Sequence, residues 1–240
     1  MTDLKLAGFS AADLKSAGFE LTELKLAGFS FTDLKRDGFS ATDLKRAFSA
    51  DAADLKRAGF SAADLKRAGF SLTDLKGAGY LAADLKKAGF ELTDVMKAGV
   101  IKSAKEAKKA DFSAADVKKA GLFDTAEDGK NAGFSATDLK GAGFSAADLK
   151  RVGFELSDLK GAGYLGADLK SAGFELTELK NAGVINTAKD AKNAGYSAAE
   201  AEEAEFNEID AAYINEASND NVFAKTEKII KRINARVNRL

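Results

Sequence analysis

An acid, a hydroxyl and an amine recur every ten residues along much of this chain. Asp13, Asp33 and Asp43 each follow a serine (Ser10, Ser30, Ser40) by three residues, and Lys15, Lys35 and Lys45 follow two residues later. Such groups suggest three chemistries. A carboxylate ladder can hold cations or supply general acids, a serine can be a nucleophile, and a row of lysines can bind a polyanion. The pattern argues against each of them. Catalytic carboxylates work as pairs in unlike environments, whereas identical repeats give every acid the same environment. The chain contains no His and no Cys, so no serine has the usual base and no thiol or imidazole is there to hold a metal. The glycines are spaced by ten and never grouped as a phosphate-binding loop requires. Each lysine has an acid in its own repeat, and net charge is −1 with 36 bases and 37 acids. The lysine row therefore reads as a solvated, charge-balanced face, and nucleic acid is an unlikely partner by this count. No catalytic residue, cofactor or metal site is expected.

The elements that position these groups follow from one unit, Ser61 to Phe70, with sequence Ser-Ala-Ala-Asp-Leu-Lys-Arg-Ala-Gly-Phe. Read as a helix, every position has a role. Ser61 is the N-cap, and Asp64 three residues later completes a capping box. Phe60 and Leu65 are placed for a hydrophobic staple. Gly69 is the left-handed residue after the helix, and Phe70 packs back. Asp64 also lies one turn from Arg67, at ion-pair spacing. The first helical position (Ala11, Leu21, Phe31, Leu72) joins Leu14 and Ala17 in an apolar stripe of helical period. A helix this short is almost unpopulated alone, so stability must come from stacking neighbours.

Taken five at a time, Ala12-Asp13-Leu14 and Ala17-Gly18-Phe19 resemble the unit of pentapeptide-repeat proteins. That resemblance implies a right-handed, four-sided β-helix, with a surface that in some members mimics duplex DNA; a net charge of −1 does not supply such mimicry. The tandem Leu-Lys-x-Ala-Gly-Phe-Ser runs resemble decapeptide-repeat proteins, a likeness that carries no function. Three features favour ten over five. Gly recurs only before Phe and the acid only before Leu. Ala outnumbers β-branched residues. The insertions near Ser103 and Thr187 are two residues long, which predicts helices grown by half a turn. The expected fold is an all-α solenoid of very short stacked helices, one per repeat, with the four-sided β-helix as the alternative.

The solenoid is expected over residues 1–199. Within it, residues 70–112 and 154–196 match at an offset of 84, pairing Phe70 with Phe154, Tyr80 with Tyr164 and Val100 with Val184. The pattern stumbles at Ala47-Phe48-Ser49, where a glycine is missing, and at Leu122-Phe123-Asp124-Thr125, an irregular unit expected to bend the stack. Tyr80 and Tyr164 stand at Phe positions, and Leu81 and Leu165 follow where a cap belongs. Losing that cap costs about 0.5–2 kcal/mol. These four residues form a protein-contact patch, or the leucines fill gaps between turns.

Residues 200–240 form a second segment. Residues 200–220 hold eight acids and no base, and residues 221–240 hold six bases and one acid. Phe223, Ile230, Ile233 and Val237 recur at helical spacing with a basic opposite face. That helix either caps the solenoid or docks on another protein or an anionic surface. No apolar run is long enough to span a membrane. The repeat begins at the first residues, Met1-Thr2-Asp3-Leu4-Lys5, so no signal peptide is visible and an intracellular or particle-bound location is expected. The functional expectation is a non-catalytic structural or scaffold protein within a larger assembly. A free protein-binding adaptor is the alternative.

Overall fold

The computed structural model describes residues 5, 7–204 and 206. Among them nineteen α-helices follow one another, with no strand. The chain divides into two compact units after Phe123. The first contains α1 (Ala11–Ser16), α2 (Leu21–Leu26), α3 (Phe31–Arg36), α4 (Ala41–Phe48), α5 (Ala52–Arg57), α6 (Ala62–Arg67), α7 (Leu72–Gly77), α8 (Ala82–Lys87), α9 (Leu92–Lys97), α10 (Ala104–Lys109) and α11 (Ala114–Lys119). The second contains α12 (Ala126–Asn131), α13 (Ala136–Gly141), α14 (Ala146–Arg151), α15 (Leu156–Gly161), α16 (Gly166–Ser171), α17 (Leu176–Asn181), α18 (Ala188–Asn193) and α19 (Ala198–Glu203). The fold is an all-α solenoid with one helix per decapeptide, and the β-helical alternative falls.

The capping box decides where each helix begins. The Ser61 N–H donates to the Asp64 carboxylate (2.9 Å), and the Asp64 N–H donates to Ser61 Oγ (3.2 Å). Two of the four orphan donors at the helix start are satisfied in this way. The end is a Schellman motif. The N–H of Gly69 bonds the carbonyl of Lys66 (3.0 Å), and that of Phe70 bonds Leu65 (3.0 Å). Gly69 has φ +74°, where a Cβ is disfavoured. Ser49 and Asp111 accept the same region at φ 50° and 70°. The missing glycine near Ser49 lets α4 run on to eight residues, and the Phe48 ring lies 5.6 Å from that of Phe31.

In both units most helices pack most heavily on the one two places along, as in α4 with α6 and α13 with α15, whereas α10 packs chiefly on α11. One turn of the coil is therefore two decapeptides. The inward Leu column (Leu34, Leu44, Leu55, Leu65; Leu139, Leu149, Leu159) has no exposed surface. Each such side chain contributes about 1.5–3 kcal/mol by leaving water.

The insertions do not lengthen helices, contrary to the expectation from sequence. α10 and α18 have six residues like most of the others. Ile101-Lys102 and Ile185-Asn186 instead extend the connector, and the isoleucines are buried to 2% and 1% exposure. An added apolar residue gains more by entering the core than by extending a capped helix. The N-caps that follow are drawn out, with φ −143° at Ser103 and −132° at Thr187 against −78° at Ser61. Leu122-Phe123-Asp124-Thr125 is a third case of the same device, with Phe123 buried and Thr125 at φ −105°. The repeat geometry also runs past residue 199. Ser197 caps α19, and the Phe206 N–H closes on Ala201 (3.0 Å).

Candidate functional site

The recurring polar groups are engaged in building the coil. The serine and acid of each box bond each other, as Ser10 and Asp13 do (2.6 Å between hydroxyl and carboxylate). Where an arginine stands at i+3 the acid also pairs with it: Asp64 with Arg67 at 2.6 Å, Asp33 with Arg36 at 3.4 Å and Asp148 with Arg151 at 3.5 Å. At Asp13, Asp33, Asp43, Asp64 and Asp74 the carboxyl group is held below the usual carboxylate range. At Asp13 the Ser10 hydroxyl is the leading cause, and at Asp74 it is the Ser71 hydroxyl. At Asp33 the Lys5 ammonium, 2.8 Å away, leads. At Asp64 burial is the largest single influence and pushes upward, but the Ser61 hydroxyl and N–H, with the charges of Arg67 and Lys35, outweigh it together.

The lysine after each Leu has a role that reading one repeat alone does not reveal. In most repeats it reaches the C-terminal end of the helix two repeats later, whereas Lys25 stands over the ring of Phe31 in the next helix. Lys45 Nζ donates to the carbonyls of Ala68 (3.1 Å) and Gly69 (2.9 Å) and stands 4.0 Å from the ring centre of Phe70. Lys66 does the same to Ala88 (3.2 Å), Gly89 (2.7 Å) and Phe90 (4.3 Å). In the second unit Lys130 meets Val152, Gly153 and Phe154, and Lys150 meets Gly173 and Phe174. A cation here meets carbonyls left unpaired at a helix end, the negative end of the helix dipole, and an aromatic face. These lysines form an inter-turn ladder, which corrects their reading as a solvated face. The signal was present in the sequence as the fixed Lys-to-Gly-Phe spacing, but it needed the two-repeat turn to be interpreted.

Tyr80 and Tyr164 are buried to 7% exposure. Their hydroxyls donate to the carbonyls of Phe60 and Phe144, one turn back, and Tyr196 does likewise to Phe174 (2.6 Å). Burial pushes these hydroxyls up, Tyr196 to about 12, with nearby carboxylates adding to the effect. Leu81 and Leu165 lie elsewhere, 70% and 71% exposed, so they do not fill gaps between turns. Each retains half a capping box, its N–H donating to Asp84 or Asp168 at 3.0 Å. Phe223, Ile230, Ile233 and Val237, with the expected C-terminal cap, lie outside the described residues.

The first unit has an open groove of about 400 Å³ beside Lys15, Phe39, Asp43 and Arg46. A second, of about 240 Å³, lies beside Lys35, Phe60, Asp64 and Arg67. Both use the same repeat positions, whose charges are already joined in ladder and cap. No group of three or more metal-ligating side chains occurs among the described residues, and no described helix is long and apolar enough to cross a membrane.

Neither the curated proteins nor the solved structures contain a match to this chain. The sequence model for the decapeptide repeat region matches residues 1–50, 49–124 and 124–186. With the capped helix, the left-handed turn and the aromatic residue recurring through those segments, the chain belongs to the decapeptide repeat region family.

Proposed function

We propose that this chain is a non-catalytic structural element, a repeat-built spacer or cement held within a larger protein assembly. The observation that carries the reading is the engagement of the polar side chains. Serine and acid close the helix start, and lysine closes the helix two repeats away. A repeat whose recurring serine, acid and lysine are drawn into the stack is suited to setting distance and stiffness. The sequence also lacks His and Cys. The test is purification of the tagged chain from its native cells, with subunits counted by quantitative mass spectrometry. The structural reading expects a large particle with a fixed ratio of partners; recovery of the free chain alone would contradict it.

A second reading, a free adaptor that binds one protein, is favoured by Leu81 and Leu165. Each unit exposes one such leucine in the same Tyr-Leu setting. An adaptor would be recovered with substoichiometric, exchanging partners. A nucleic-acid role has less support, because the ladder lysines already meet carbonyls and rings.

A further inference from the structure

The charge of this chain is unevenly divided. Residues 1–123 hold 21 bases and 17 acids, and residues 124–240 hold 15 and 20. The excess in the first unit equals that of one stretch, residues 97–119, with seven lysines and three acids. Lys97 is 79% exposed and only 3.9 Å from Asp94 at its nearest, while Lys102, Lys105, Lys109 and Lys119 are exposed without an ion pair among the described residues. Elsewhere in this unit the exposed bases Arg57 and Arg67 pair closely with the acid three residues back.

The duplicated block acts as an internal control. The junction between α17 and α18 copies the one between α9 and α10: φ 63° at Gly183 against 67° at Gly99, a buried Ile185 against Ile101, and an extended Thr187 against Ser103. Yet Asn181, Asn186 and Asn193 stand where the first block has Lys97, Lys102 and Lys109. The same frame therefore forms without those charges, so the fold does not require them. At the other end of the charge distribution, α19 is the one described helix with no base in its last turn. It carries exposed Glu202 and Glu203 where other repeats have lysine and its neighbour. It opens the stretch 200–220, with eight acids and no base.

We propose that the lysines at 97, 102, 105, 109 and 119 dock the acidic 200–220 segment of a second copy of this chain. This deepens the assembly reading by naming one partner and rests on it. The contact joins two different surfaces, so it propagates head to tail unless the rotation closes a ring. Charge complementarity steers such a contact, and salt screens it. Residues 97–119 carry no exposed aromatic side chain for stacking on bases; the large exposed apolar side chains among the described residues are Phe9, Leu26, Leu81 and Leu165. That favours an acidic protein segment over single-stranded nucleic acid or a membrane.

The test is sedimentation velocity of the full chain at about 0.05 M and about 0.5 M salt, where the screening length falls severalfold. Concentration-dependent association at low salt, lost at high salt, is expected. The variant K97N/K102N/K109N copies the chain's own second block and should weaken that association by about tenfold or more, with an unchanged circular dichroism spectrum. E202K/E203K should weaken it as well, and this variant carries the test if the first does not fold. A labelled peptide of residues 200–220 should bind the full chain and lose affinity for the lysine variant. A monomer at low salt, or association indifferent to both variants, overturns the proposal. So does binding of single-stranded DNA or phosphatidylserine vesicles without binding of the peptide. A fixed-ratio native particle alongside any of these results would leave the assembly reading standing.

Discussion

Lys66 and Arg67 are adjacent, equally charged and both on the surface, yet they have different tasks. Lys66 meets two carbonyls and a ring one turn along the coil, whereas Arg67 pairs with Asp64 within its own helix. The Lys66→Met variant should lose about 1 kcal/mol, since a charged hydrogen bond and a cation–π contact are both removed at a partly exposed site. Arg67→Ala should stay within about 0.5 kcal/mol, as exposed ion pairs do. Urea denaturation of the two variants side by side reads the difference, and equal losses would contradict the ladder. Protonation tests the caps. Asp13, Asp43, Asp64 and Asp74 have folded-state pKa values below the usual range. Their contribution is therefore fully present above the unfolded carboxyl value of about 4 and is lost as pH falls below it through the lowered folded-state values. The melting temperature should hold steady above about pH 5 and drop below about 4. Tyr196 has the opposite sign: its folded pKa is raised to about 12, so its contribution is lost as pH rises from 10 toward that value. The alkaline loss of stability should be smaller in a variant with Tyr80, Tyr164 and Tyr196 all changed to Phe.

At the scale of the helix, the sequence could be read almost in full. Ser61, Asp64, Gly69 and Phe70 announce a start, a capping box, a left-handed stop and a closing bond, because each depends on residues within ten positions. The insertions could not be read this way. Ala104 to Lys109 looks like a longer helix by composition, and only the core shows that Ile101 is the residue with somewhere to go. Leu81 lies between these cases. Its lost cap is local and visible in the sequence, but its 70% exposure is not. Leu81→Ser should restore the cap and stabilise the chain by about 0.5–1 kcal/mol in thermal or urea melts. If Leu81 and Leu165 contact a partner, changing both to Ser should raise stability while partner recovery falls. Unchanged recovery would assign the leucines no role in binding.

For the whole molecule, the unit of construction is the pair of decapeptides. Four sides of five residues and two helices of ten both make a turn of twenty, which is why the β-helical register could mimic this one so closely. What one repeat cannot disclose is the angle at the Gly-Phe corner, and with it which helix stacks on which. The ladder lysines and the tyrosine hydroxyls, whose partners lie a turn or more away, are therefore the parts of the candidate site least visible in sequence. The central claim is that these groups build a fixed element of an assembly. The most direct test adds isotope-labelled chain to a native extract and follows its entry into the particle that contains the unlabelled chain. A structural element predicts a fixed stoichiometry and negligible exchange once assembled. Rapid replacement of the resident chain would contradict the account and make this an adaptor.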